Sequence, residues 1–286
     1  MNFITLEEAS KLLNLHPEVV RKKARSGEIP AVKLGTGIRA PWRFSEEALQ
    51  NYLSGDASAI KESELHNHYL QKLLTQMKEE TEEEKRVSAI QEIGLLGSEE
   101  AIPELTRNLL DDMESDSIKF YSIRALIAIL GTDSRRYIYK YIEYPNPWLA
   151  IEAALYFAKK ELDEKAIAFL KESYAKRKDF NSLLALAQID YESVKDDYLA
   201  LIDHDAVQNR YKALMILDNI TGADYVSIVR KLLADREHRI KRKAIELTGD
   251  LKLTELMPEL TEMLSKNITD DLKKCIGAAI VKIHTL

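Results

Sequence analysis

Arg21, Lys22 and Arg25, with Glu18 just ahead of them, follow the i, i+3, i+4, i+7 rule, so on a helix the three cations share one stripe. Two forked guanidiniums and an ammonium so placed can neutralise phosphates or hydrogen-bond base edges; the plainer reading is a solvated face. Tyr137, Tyr141 and Tyr144 recur at i, i+4, i+7, and Trp148 opens the next segment across Pro145-Asn146-Pro147. Aromatic rings with polar tips suit a protein or peptide contact, which makes Tyr137, Tyr141 and Trp148 candidate partner-binding residues; tyrosines wedged between helices are the plainer alternative. Arg236, Arg239 and Lys243 share a face within the densest basic patch of the second half, near Asp235, Glu237 and Glu246, and read first as solvated surface. No Gly-rich phosphate loop, His-Glu-x-x-His, paired cysteines or Gly-x-Ser-x-Gly occurs. His66 and His68 diverge on a helix, and Asp203-His204-Asp205 reads as a polar turn that caps a helix. Neither metal nor cofactor is expected.

The elements that must carry the first stripe are legible around it. Thr5 and Glu8 form a capping box that opens a helix bearing Ala9, Leu12 and Leu13 on one face, with Ile4 packing from outside. A break at Asn14 to His16 leads to Pro17, suited to the first position of a second helix whose Val20 and Ala24 pack on the first. After Gly27, an extended run Ala31 to Leu34, a Gly35-Thr36-Gly37 turn and a return through Trp42-Arg43-Phe44 predict a hairpin with Arg39 near its tip. Ser45 then caps a third helix whose Ala48, Leu49 and Tyr52 close a small core that also takes Trp42 and Phe44.

This run resembles the excisionase-type branch of the MerR-like winged helix-turn-helix family. The resemblance rests on Leu6-Glu7-Glu8-Ala9, on Arg25-Ser26-Gly27-Glu28-Ile29-Pro30-Ala31-Val32-Lys33, and on Trp42-Arg43-Phe44 before the Ser45 helix. In that family the second helix enters the major groove and the wing lies along the adjacent backbone or minor groove. The resemblance therefore implies groove contacts to double-stranded DNA for Arg21, Lys22 and Arg25, and wing contacts for Thr36, Arg39 and Arg43. Arg43 has a second reading, as a brace to Glu46 or Glu47. Unlike MerR regulators, no heptad-bearing helix follows the wing.

At 286 residues the chain is long for one domain. Residues 1–54 hold eight Lys/Arg against six Asp/Glu, leaving 33 against 41 in the rest, so the overall charge of −6 divides into a weakly basic head and an acidic body. An acidic body repels phosphates, so nucleic-acid binding is expected to be local and salt-sensitive. Cys275 is the single cysteine, which excludes an intrachain disulfide and fits a reducing cytosol; its apolar neighbours predict packing. No apolar run reaches the length of a bilayer span, and a cytoplasmic protein is expected.

Residues 55–65 read as a linker, and from residue 66 to residue 286 paired amphipathic segments recur. Ala89, Ile123, Ala154, Leu184, Ala213, Ala244 and Cys275 align as equivalent positions of the second helix of each pair, spaced 34, 31, about 30, about 29, 31 and 31 residues apart. Small residues recur where that helix must approach its neighbours. The body resembles short bacterial HEAT repeats in GSEEAIPEL (Gly97 to Leu105), in Arg124-Ala125-Leu126 with Leu130-Gly131, and in Arg242 to Leu247; the ankyrin and tetratricopeptide signatures are missing. The expected fold is mainly α, a winged helix-turn-helix at residues 1–54 followed by an α-solenoid of about seven HEAT-like helix pairs.

Such an array buries its core between neighbours and exposes a long face, which favours binding over chemistry. The expected function is a sequence-specific DNA-binding protein, a transcription regulator or a phage or mobile-element accessory factor. Its body would bind a protein partner or self-associate. Two alternatives are a HEAT-like DNA glycosylase, for which Asp133, Trp148 and Arg135 or Arg136 would have to serve, and a scaffold that does not bind DNA. Removing residues 1–54 is expected to leave a folded body indifferent to DNA.

Overall fold

Thr5 ends a short strand and starts a helix. Its hydroxyl accepts from the Glu8 N–H at 3.3 Å while its own N–H donates to the Glu8 carboxylate at 2.8 Å, so two otherwise unpaired donors are satisfied reciprocally. These bonds, the backbone one foremost, hold the Glu8 carboxyl below the usual range. The computed structural model describes residues 1–37, 40–54, 62–266 and 268–284. The head comprises β1 (Phe3–Ile4), α1 (Leu6–Leu13), α2 (Pro17–Arg25), β2 (Val32–Lys33), β3 (Trp42–Ser45) and α3 (Glu46–Ser54). The three antiparallel strands lie in the order β1-β3-β2, with Ile4 opposite Phe44 and Val32 opposite Arg43. The hairpin was expected; β1, only two residues long, was not.

α1 ends at Asn14, whose φ of 52° an asparagine tolerates, and the His16 ring accepts from the Glu18 N–H ahead of Pro17 in the first turn of α2. α2 closes at Gly27, at φ 75°, where the chain turns back so that the Glu28 N–H donates to the Lys23 carbonyl at 2.9 Å. Ile4, Leu6, Ala9, Leu13, Val20, Ala24, Ile29, Ala31, Trp42, Phe44 and Leu49 form the head's core. Leu12 does not join them and is 41% exposed. On this helix the inward arc is taken by Leu6, Ala9, Ser10 and Leu13, and residue 12 falls about 60° outside it.

Helical repeats follow the head. α4 (Glu62–Glu79) pairs with α5 (Glu83–Leu96), and α6 (Ile102–Leu110) with α7 (Asp116–Leu130). Next come α8 (Arg135–Ile138), a 3₁₀ segment (Tyr139–Glu143) and α9 (Pro147–Glu161). The remaining pairs are α10 (Glu164–Arg177) with α11 (Phe180–Ala187), α12 (Lys195–Ile202) with α13 (Val207–Met215), α14 (Tyr225–Leu233) with α15 (His238–Asp250), and α16 (Met257–Ser265) with α17 (Asp270–His284). The helices fall into two compact units, residues 1–153 and 154–286. The expected linker at 55–65 overlaps α4, whose first residue is Glu62; residues 55–61 lie outside the described residues.

Six of the seven aligned positions land in the second helix of a pair and Ala154 lands in α9; Ala89, Ile123, Ala154, Ala213 and Ala244 are fully buried. Gly94 on α5 and Gly249 on α15 each sit five residues past such a position. A Cβ at Gly94 would stand 3.1 Å from the Ala125 Cα, and one at Gly249 would stand 2.8 Å from the Ala279 Cα. Second helices of successive pairs thus approach closely, α5 against α7 in the first unit and α15 against α17 in the second; the space is tight for a side chain at Gly94 and closed at Gly249. Cys275 is half-buried; desolvation, the largest influence on it, pushes its thiol above the ordinary range. Lys282 of α17 pairs with Asp250 of α15.

Candidate nucleic-acid interface

α2 turns Val20 and Ala24 into the core and leaves Glu18, Val19, Lys22, Arg25 and Ser26 exposed. The three predicted cations therefore share the outer half of the helix, but on unequal terms. Arg21 is half-buried and pairs with Glu18, whereas Lys22 and Arg25 are exposed. A fourth cation, Lys23, is turned away: it pairs with Glu28 and lies 3.3 Å from the Tyr52 hydroxyl, which donates to Glu28 at 3.0 Å. The bond to Glu28 raises the Lys23 pKa and lowers that of Glu28. This cluster ties the end of α2 to α3 and fixes the angle at which the outer face is presented.

On the wing, Thr36 is exposed and its carbonyl accepts from Lys33 Nζ at 3.3 Å. Arg39, the predicted tip residue, lies outside the described residues. Arg43 corrects the expectation. It neither reaches outward with the wing nor pairs with Glu46 or Glu47; Nε donates to the Tyr69 hydroxyl of α4 at 3.0 Å and Nη2 pairs with Glu92 of α5. Tyr69 donates to the same Glu92, and its ring packs on Phe3 of β1 with centroids 4.7 Å apart. Burial works against the Arg43 charge, yet Glu92 more than offsets it and the pKa is raised; burial, then Glu92, also pushes the Tyr69 hydroxyl up. The physical reason for the correction is direction: on β3 Arg43 alternates with the core residues Trp42 and Phe44, and the face it occupies is covered by the first helical pair. Tyr69 and Glu92 stand 26 and 49 residues from Arg43, a separation that leaves no local signal in the sequence.

The predicted aromatic cluster is divided. Tyr137 belongs to the four-residue α8 and lies half-buried under the Arg136 guanidinium at 4.9 Å, while Tyr141 belongs to the 3₁₀ segment. The tighter winding of that segment, ahead of Pro145 and Pro147, carries Tyr141 to 2% exposure, with its hydroxyl on the Leu109 carbonyl. Tyr141 is thus core, with burial pushing its hydroxyl up to about 12. Trp148 is 41% exposed and stacks on Phe120 at 4.4 Å.

In the second unit the basic patch is largely engaged. Arg239 lies 3.6 Å above the Tyr211 ring, and Arg242 pairs with Glu246 and Asp271 at 3.2 and 3.5 Å. The Asp203-His204-Asp205 turn has a role beyond capping: the His204 and Asp205 carbonyls accept from Arg210 at 2.7 and 2.8 Å, and Arg210 forms a forked pair with Asp235 at 2.8 and 3.1 Å. Arg210 and Asp235 side chains are 7% and 9% exposed. Asp235 stands 25 residues from Arg210, a separation that gave no pattern to find beforehand.

Two helices joined at a three-residue turn, with a hairpin wing beside them, define a winged helix-turn-helix head on a body of helical repeats. Residues 3–56 match the family model described as a helix-turn-helix domain, the basis for assigning the head as a DNA-binding regulatory domain. No curated protein matches the chain. No described helix is long and apolar enough to cross a membrane.

Proposed function

We propose that the protein binds double-stranded DNA at specific sequences through α2 and the wing, as a transcription regulator or a phage or mobile-element accessory factor. The head follows the excisionase-type pattern, and the body is a HEAT-like solenoid that binds a protein partner or a second copy of the chain. One observation carries this reading: α2 holds its cations Lys22 and Arg25 outward while Val20 and Ala24 alone close the core. Phosphate contacts from such a face give affinity and register, and base-edge contacts give sequence.

A coiled coil along α4, the first long helix after the wing, is not part of this reading. The apolar residues of α4, from Leu65 through Leu70 and Leu73 to Met77, are buried within the first unit, so no seam remains for a coiled coil. A regulator of this kind needs no catalytic group. For the glycosylase alternative, Asp133 is exposed in a 3₁₀ turn and Trp148 is stacked on Phe120, whereas an extruded base needs a pocket lined by such groups.

Selection of bound fragments from random duplex DNA by the full-length protein tests the proposal. A shared motif is expected, together with loss of specific binding in the Lys22→Glu/Arg25→Glu double variant. Equal recovery of all sequences, or undiminished binding by that variant, would refute it. Release of free base from alkylated DNA would favour the glycosylase.

A further inference from the structure

Among the exposed side chains of α2, Val19 is the only large hydrophobic one. It is 41% exposed while Val20 beside it is fully buried, and it takes no part in the head's core. Val19, Lys22 and Ser26 stand at i, i+3 and i+7, all exposed, so Val19 shares its side of the helix with the Lys22 ammonium. Val19 also lies in the first turn of the helix. In helix-turn-helix docking the first residues of the second helix are the ones that meet base edges.

Resting on the reading of α2 as the groove helix, we infer that Val19 selects thymine by packing on its C5-methyl. That methyl is the only apolar group on the major-groove edge of any base pair. Cytosine in its place has C5–H where thymine has the methyl, so the apolar contact with Val19 is lost, and only an acceptor bonded to its amino group would make up for it. Glu18, the nearby acceptor, is already held by Arg21. Lys22, one turn on, is a donor suited to guanine O6 or N7 or to the adjoining phosphate. The target is therefore a site in which a thymine lies under the first turn of α2, next to the position met by Lys22.

The experiment uses the full-length protein and the tightest duplex recovered from random DNA, with each thymine replaced in turn by uracil, which pairs identically but lacks the methyl group. Wild type should lose about fourfold in affinity at one thymine of each bound site, the effect of uncovering one methyl group. Val19→Ala should bind thymine and uracil duplexes equally at that position, and Val19→Thr, which keeps one methyl, should fall between. Both variants should keep the wild-type melting curve, because the side chain lies outside the core. If no thymine is sensitive, or if the sensitivity survives in Val19→Ala, the inference is overturned while DNA binding stands. If no duplex is enriched at all, the DNA-binding reading fails first and takes the inference with it.

Discussion

Lys22 and Arg43 are both cations of the head, and their surroundings assign them different work. Lys22 has solvent around it, so Lys22→Ala should weaken binding to all duplexes and lower the slope of log affinity against log salt by about one, measured by fluorescence anisotropy across a salt series. Arg43 is enclosed by Tyr69 and Glu92. Removing either member of that ionic pair should cost about 1.5 to 3 kcal/mol of stability, so Arg43→Ala and Glu92→Ala should melt alike and leave the salt slope unchanged. A reduced slope in Arg43→Ala alone would return the residue to the DNA. In the second unit, burial raises the Asp235 carboxyl, but the bonds from Arg210 and from the Glu237 N–H outweigh it and hold the pKa below the usual range. The sign follows: the stabilisation is complete above the ordinary aspartate value of about 3.9 and is lost as pH falls through the lower folded value. Asp235→Ala should destabilise by about 3 to 5 kcal/mol at neutral pH, since it leaves Arg210 buried without its counter-charge. Urea unfolding at pH 7 and pH 3 would check both statements.

At the scale of elements, the repeats depend on where second helices meet. Gly249 lies against the Ala279 backbone, so even one added carbon must push α15 and α17 apart. Gly249→Ala should cost about 1 to 3 kcal/mol, read as a lower urea midpoint; an unchanged midpoint would mean the helices have room to separate. This contact was legible in outline, because small residues recurred at a period near 31. Its mate was not: the period says that a neighbour exists, and only the packed helices say that Ala279 is what Gly249 touches. Tyr141 teaches the opposite lesson. Helical spacing put it with Tyr137 and Tyr144 on one face, either open to a partner or wedged between helices; two prolines close behind prevented a long helix, and in the 3₁₀ segment Tyr141 is the wedged one.

At the scale of the molecule, the head and first helical pair are one body. Phe3, Arg43 and the wing strands meet Tyr69 and Glu92, so the boundary after residue 54 is a boundary of sequence pattern more than of stability. Deleting residues 1–54 should abolish specific DNA binding. It should also uncover Tyr69 and strip Glu92 of its cation, lowering the first thermal transition by about 2 to 4 °C for each kcal/mol lost. That differs from the intact, indifferent body expected from composition. A truncated protein that melts no earlier than the full chain would show the interlock to be weak.

Local rules sufficed for much of this protein. The capping box at Thr5, Pro17 at the head of α2 and the return strand depend on residues a few positions apart, and the repeat shows as a regular spacing near 31, so the chain alone determined a winged head followed by helix pairs. The side-chain partners of Arg43 and Arg210 and the carbonyl bonded by Tyr141 lie 25 to 49 residues away and across elements. Charge and aromaticity marked these residues as notable, but whether each faces solvent or a buried partner depends on which surfaces packing covers, and that was decided only when the helices came together.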